Sequence, residues 1–403
     1  MASEIPKVLV LGPITPSADS ADSAKSERLI YPKLQPAVEK HRPYERARMA
    51  RFWQTEEGSL DEHAAAQQLA MQYMLMGAHA LTFSADPELW SQRYTQATSE
   101  IYGLPEPELA QQLWREQQND SGEVEEPFKA VAERVGEFLD SKYASVFAAL
   151  NIDIVSSESI GPDGIASKFE AAIAVLAQEH DSDWAEWTVE RNDEKDSLSV
   201  VAGSKKILVG MRRANVQPQQ LKALFAHEVL VHGLRGVNGQ KTSKELGNGL
   251  PGYLDAEEGF GVFVEYAVSG KISEKNVDRY IDIAYALGQI DGMQHTRQEL
   301  IDHAMKRATK RNDKAEQKKA PEDLAKEVYA HVNRIYRGSL GNEHVGVFTK
   351  DISYHKGFIE MARYIQEQVE SGNTIDDIIA FLSSGKFDPT NSRHVDYLRE
   401  TLV

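Results

Sequence analysis

Apolar residues recur every three or four positions through much of the chain, the spacing that lines them up on one face of a helix. The pattern runs from about residue 33 to residue 150, in segments such as Glu62–Leu81, Pro87–Tyr102 and Pro127–Leu150. Turn-forming stretches at Ser84–Asp86, Gly103–Pro107 and Ser121–Pro127 separate these segments. Ser156–Gly164 reads as a junction, and the pattern changes after it. A helix over Ala166–His180 leads into three short extended segments, Trp184–Val189, Ser197–Ala202 and Lys206–Val209. Asn192-Asp193 and Gly203-Ser204 stand between them, as turn residues do in hairpins. A strongly apolar helix begins near Pro218, and the remainder is mostly helical. The expected fold is α+β, mostly helical with a small, mainly antiparallel sheet. A helical N-terminal region, 1–160, would precede a second domain, 161–403.

With 403 residues and 41% hydrophobic content the chain can bury a sizeable core, which excludes a mostly disordered protein. Acidic residues outnumber basic ones 62 to 45, and the net charge of −17 argues against nucleic acid or an anionic membrane as partner. The lack of cysteine excludes disulfides, thiolate nucleophiles and Cys-ligated metal, so a transition-metal site must use His and carboxylates. The early apolar run Val8–Leu11 is too short for a signal sequence and no 18-residue apolar span occurs, so the expected compartment is the cytoplasm.

Candidate chemistry concentrates in Leu221–Arg235, an apolar helix that nevertheless carries His227, Glu228 and His232. Buried polar groups are costly unless paired or metal-bound. The pattern is His-Glu-x-x-x-His, one residue longer than the zincin His-Glu-x-x-His. In a regular α-helix positions i and i+5 point about 140° apart and cannot grip one ion, whereas i and i+4 are about 40° apart. The spacing therefore predicts a π-helical distortion between His227 and His232, with Gly233 able to loosen the last turn. The plainer alternative is a pair of core histidines bonded to their neighbours.

Glu258 follows His232 by 26 residues and offers a third ligand on a returning helix. Two histidines and a glutamate would leave the fourth position of a tetrahedral zinc ion (Zn2+) open, as hydrolysis requires. Two other readings stand beside this one. Glu257 is a competing ligand, since adjacent residues cannot both face the metal. Asp255 and Glu258 also have the spacing of a helix capping box.

Taken together, His227-Glu228…His232-Gly-Leu-Arg235-Gly-Val-Asn238 and Glu257-Glu258-Gly259 resemble the catalytic core of the microtubule-associated tyrosine carboxypeptidase family. Lys7–Pro16, Ile101-Tyr-Gly-Leu-Pro, Arg334-Ile-Tyr-Arg337-Gly and Phe348–Gly357 support the likeness, which spans nearly the whole chain. The resemblance implies a zincin-like zinc carboxypeptidase with His227, His232 and Glu258 as ligands and Glu228 as catalytic acid/base. Phe260-Gly261 departs from the Leu-Ala that many relatives carry after the glycine, which alters the packing behind the ligand. The resemblance implies the C-terminus of a peptide or protein as partner, and the family's preference suggests a terminal aromatic residue. The net charge argues against an acidic tail unless a local basic pocket overrides it.

In that chemistry Glu228, next to a ligand, takes the water proton and delivers it to the leaving amine. Tyr354 is the expected donor to the tetrahedral intermediate, with His355 and His344 behind it. Arg334, Arg337 and Lys350, in the segments that carry the resemblance, are candidates for binding the substrate's free carboxylate. Segment Lys206–Val209 could offer an edge on which an extended peptide adds as a strand.

Overall fold

The computed structural model describes residues 102–119, 128–153, 158–195, 197–250, 252–315, 318–336 and 346–401, with five further positions between 92 and 99. The expected segment Glu62–Leu81, most of Pro87–Tyr102, Lys7–Pro16, Arg337 and His344 lie outside the described residues. The chain divides into two compact units. Among the described residues one unit holds those up to Asn119 together with Lys275–Ile352, and the other holds Phe128–Glu274 and Ser353–Thr401. The expected junction at Ser156–Gly164 lies within the second unit.

In the first unit, helices Pro107–Asn119, Glu274–Ala286, Arg297–Lys314 and Pro321–Ile335 bury Ala110, Tyr280, Ile283, Leu300, Ala304, Val328 and Val332 in a common core. Helix Arg297–Lys314 starts at a capping box in which Thr296 and Glu299 satisfy each other's backbone N–H groups. Proline at the start of Pro321–Ile335 suits the first turn, where its missing N–H is not needed.

The second unit packs helices around a three-stranded sheet: β1 (Thr188–Asn192), β2 (Leu198–Val201) and β3 (Lys206–Gly210). The sheet is mixed rather than mainly antiparallel. Its order is β1-β3-β2, with β3 parallel to β1 and antiparallel to β2. Trp184 belongs to a 3-10 turn, Ser182–Glu186, and β1 starts only at Thr188. The connection from β1 to β2 does not close a hairpin but passes round the end of β3. Its carbonyls at Asn192, Lys195 and Ser197 accept from the N–H groups of Met211, Arg212 and Gly210. The tight turn is instead the one from β2 to β3, where Lys205 adopts the left-handed conformation. Because β3 is central, both its edges are already hydrogen-bonded, so it offers no edge to an added peptide strand.

Two helices cross the glutamate-bearing helix Leu254–Ser269 at backbone contact. A Cβ on Gly259 would lie 2.1 Å from the carbonyl carbon of Gly357, and one on Gly136 would lie 2.2 Å from the Ala267 oxygen. Glycine at 259 and 357 thus brings Leu254–Ser269 against Ile352–Glu370, with Phe260, Phe263 and Phe358 in the surrounding core. Among the described residues no helix is long and apolar enough to cross a membrane.

Candidate active site

The histidine segment begins as a regular helix, Pro218–Phe225, then becomes a π-helix over Ala226–Gly233 before regular helix resumes at Leu234. The wider turn is what five-residue spacing demands of two side chains that must share a face. The His227 and His232 rings meet with centroids 4.7 Å apart. Gly233 keeps ordinary helical angles, so it does not loosen the turn; it leaves room for Trp184, whose ring a Cβ there would meet at 2.6 Å.

Both Nε2 atoms face Glu258. Oε2 of that residue lies 3.7 Å from His232 Nε2 and 4.0 Å from His227 Nε2. Ligand atoms of the three residues all fall within 4.8 Å of one another. The outward Nδ1 atoms face other carboxylates. His232 Nδ1 is 2.8 Å from Glu257 Oε1, and His227 Nδ1 is 3.3 Å from Glu265 Oε1, close but not aligned as a hydrogen bond. Glu257 is itself gripped by Arg235 Nη1 at 2.6 Å and by Lys386 Nζ at 3.0 Å. Arg235 also donates to the carbonyls of Gly385 and Phe387 at 2.7 and 2.5 Å, fixing the buried guanidinium in place. Adjacent glutamates therefore do different jobs: Glu257 orients an imidazole and Glu258 faces both. The capping-box reading of Glu258 does not hold, because Tyr253 occupies the N-cap position and Asp255 pairs with Lys356 at 2.6 Å.

Gly261 completes the cradle. A Cβ there would lie 2.7 Å from His227 Cε1 and 2.8 Å from Nε2, so the imidazole fills the space a methyl group would take. This is the consequence of the Phe260-Gly261 pair for the packing behind the glutamate.

The electrostatics of the cluster are those of a place prepared for positive charge. Burial works against a charged His227, but Glu265, Glu228 and Glu258 outweigh it and push its pKa up to about 10. Glu257 moves the other way: burial would raise it, and Lys386, Arg235 and His232 hold it well below the usual carboxylate range. Burial raises the carboxyl of Glu228, with Glu258 and Glu265 adding to the rise and the two histidines opposing it.

The other expected residues belong to other elements. Tyr354, in the helix Ile352–Glu370, packs half-buried against the apolar core. Arg334 and Lys350 belong to the first unit. The Arg334 fork is engaged by buried Asp351, with Nε–Oδ2 2.6 Å and Nη2–Oδ1 3.1 Å, so its pairing within the fold occupies the geometry a substrate carboxylate would use. Two groups near the cluster were not anticipated as participants. Glu265 backs His227, and its place two turns after Glu258 on the same helix is the signal that could have pointed to it. The Tyr253 phenol has its pKa raised by burial and by Glu257 and Glu258, which puts it within their field.

Donors at about 2.1 Å from a tetrahedral ion stand about 3.4 Å apart. The 3.7 and 4.0 Å separations at Glu258 need only slight contraction to match, and a carboxylate behind each imidazole is the usual support for a metal-ligating histidine. His227, His232 and Glu258 therefore fit one divalent cation. The fold and site define an α+β protein with a His-His-Glu cluster set across a π-turn, beside a glutamate of raised pKa. The chain belongs to the microtubule-associated tyrosine carboxypeptidase family, whose model matches residues 168–402, so it is of the carboxypeptidase type among hydrolases. No curated protein matches the chain.

Proposed function

We propose that this protein is a zinc-dependent carboxypeptidase of zincin type that releases the C-terminal residue of a peptide or protein. The observation that carries the reading is the convergence of His227, His232 and Glu258 through a π-turn whose spacing would otherwise keep the histidines apart. A zinc ion held by these three would supply Lewis acidity to the scissile carbonyl and to the attacking water. Glu228 follows His227 in the same turn, and its raised pKa suits a group that takes a proton from water and hands it to the departing amine. Glu257 and Glu265 hold the imidazoles with Nε2 toward Glu258. The Tyr253 phenol, which feels the charge on Glu258, stands beside Tyr354 as a candidate donor to the developing oxyanion. The family's name supports a terminal tyrosine as the first substrate to try.

Metal analysis of the purified protein should give one zinc per chain, removable by chelator with loss of peptide cleavage. Glu228→Gln should retain that zinc yet turn over at least about a hundredfold more slowly, because the amide keeps the shape but cannot carry the proton. Near-normal turnover by Glu228→Gln would place the acid/base elsewhere. Equal cleavage of free-acid and C-terminally amidated peptides would replace this reading with an endopeptidase.

A further inference from the structure

A buried carboxylate needs one cation to balance it, and Glu257 has two. Arg235, Lys386 and Glu257 are all buried. Taking a second cation out of water is costly unless the fold puts it to use. The two cations do different work, because they hold different oxygens. Arg235 Nη1 is bound to Oε2 at 2.6 Å, while Lys386 Nζ lies 3.0 Å from Oε1. Oε1 is also the atom that faces His232 Nδ1 at 2.8 Å. Among the described residues no other carboxylate comes within 4.0 Å of Lys386 Nζ. With a cation on each oxygen the carboxylate is held against rotation, and the His232 ring is held with it. Glu265, behind His227, has no such clamp: among the described residues no lysine or arginine lies within 4.0 Å of it.

Lys386 is delivered by a short segment that follows the helix Ile375–Leu382 and lies far along the chain from Arg235. Residues 383–387 are hydrogen-bonded on both sides. Asn238 Nδ2 donates to the Ser383 carbonyl at 2.9 Å, and Arg235 donates to those of Gly385 and Phe387. On the other side Lys386 N–H donates to the Leu246 carbonyl at 2.8 Å, and the Lys386 carbonyl accepts from Leu250 N–H at 2.9 Å. The lysine stem lies across Gly236, where a Cβ would stand 3.6 Å from Lys386 Cε. Gly385 lets the segment close on Leu246, whose side chain a Cβ there would meet at 3.1 Å. So many anchors on so short a segment fix where the ammonium can go.

We propose that Lys386 is a positioning residue of the metal site, which acts through Glu257 to hold the His232 ring with Nε2 toward Glu258. Residues 383–387 are the strap that puts it there. With the ammonium gone, Oε1 answers to His232 alone and the carboxylate is free to turn about its contact with Arg235. A loosened ring presents Nε2 less well, and a metal ion is held more weakly. The inference rests on the reading of His227, His232 and Glu258 as metal ligands, and its test separates the two.

Zinc affinity of the full-length protein is measured by competition with a chelator, and thermal melting shows that each variant is folded. Lys386→Met, which keeps the length without the charge, should lower affinity about tenfold, the low end for a supporting partner. Lys386→Gln, a neutral donor, should fall between that variant and wild type, and it carries the same comparison should Lys386→Met not fold. In a Glu257→Gln background Lys386→Met should change affinity by less than about twofold, because the route through Glu257 is already cut. A lysine that only stabilised the fold would shift both backgrounds alike. The ring is read apart from zinc, by magnetic resonance of the metal-free protein carrying isotope-labelled histidine. The His232 Nδ1–H, identified by its loss in His232→Gln, should exchange with water about tenfold faster or more in Lys386→Met. Unchanged affinity in both Lys386 variants, or equal losses in both backgrounds, overturns the proposal. If wild type binds no zinc while the ring signal depends on Lys386, the metal reading falls and the positioning role stands. If zinc binds and neither affinity nor ring signal responds to Lys386, the reverse holds. Neither zinc nor a ring signal in wild type overturns both.

Discussion

At the scale of single residues, the division of labour between Glu257 and Glu258 could not be read from their order. Adjacent positions on a helix point about 100° apart, and either could have been the one facing the histidines. The difference lies in residues distant in sequence: Arg235 and Lys386 draw Glu257 toward His232 Nδ1 and leave Glu258 to face both Nε2 atoms. Glu258→Ala should therefore lower zinc affinity by orders of magnitude, since two histidines alone do not define a tetrahedral site. Glu257→Gln should lower it by about 10–100-fold, the effect of removing a supporting partner. Competition against a chelator of known affinity measures both; a greater loss in Glu257→Gln would exchange the two roles. The pairing of Arg334 was hidden for a similar reason. Arg334 lies in a segment that resembles the family, but its partner Asp351 is already supplied by the chain, 17 residues on.

At the scale of elements, the histidine helix was the most legible feature, because an i, i+5 pair of side chains that share a face leaves a helix little choice but to widen. The three strands were also found near their true positions, and Gly203-Ser204 does turn β2 into an antiparallel β3, but the pairing of β1 was not found. Alternating apolar residues mark a strand without naming its neighbours, and turn residues between two strands suggested a hairpin that β3 in fact separates. The one clue was composition. Ile207-Leu208-Val209 is more apolar than Thr188–Asn192, as suits a strand covered on both edges. Helix crossings were invisible for want of any local signature. The contact of Gly259 with Gly357 sets how deeply the glutamate helix sits, and a Cβ on Gly357 would meet the Asp255 oxygen at 2.0 Å. Gly357→Ala should force Leu254–Ser269 and Ile352–Glu370 apart, destabilising the fold by about 1–3 kcal/mol as overpacked sites do. Because Glu258 rides on the displaced helix, zinc affinity should fall with it. Denaturant unfolding and chelator competition on the one variant check both; an unchanged affinity would show that the crossing does not position the glutamate.

At the scale of the whole molecule, an excess of 17 negative charges has to be managed, and some acids are placed inside with arginines for company. The first unit shows this most fully. Asp282 is completely buried and receives Arg307 Nη1 and Nη2 at 2.7 and 2.5 Å and His331 Nε2 at 2.7 Å. Asp278 beside it takes Arg311 at 2.6 and 3.0 Å. Burial by itself would raise the Asp282 carboxyl; Arg307 and His331 outweigh it and hold the pKa well below the ordinary value. A carboxyl depressed in the folded state contributes stability in full above its unfolded pKa of about 3.9, and loses it as pH falls toward the folded value. Asp282→Asn leaves Arg307 and His331 facing a neutral amide in a buried site, so at pH 7 it should cost about 3–5 kcal/mol, the usual result of removing one partner from a buried pair. The gap between wild type and Asp282→Asn should then narrow once pH drops below about 4, because acid removes from wild type the charge that the substitution has already removed. Denaturant midpoints of the two proteins from pH 7 down to pH 3 test the argument. A gap that stays constant through that range would mean that ionisation of Asp282 contributes nothing and that the network acts only through its shape.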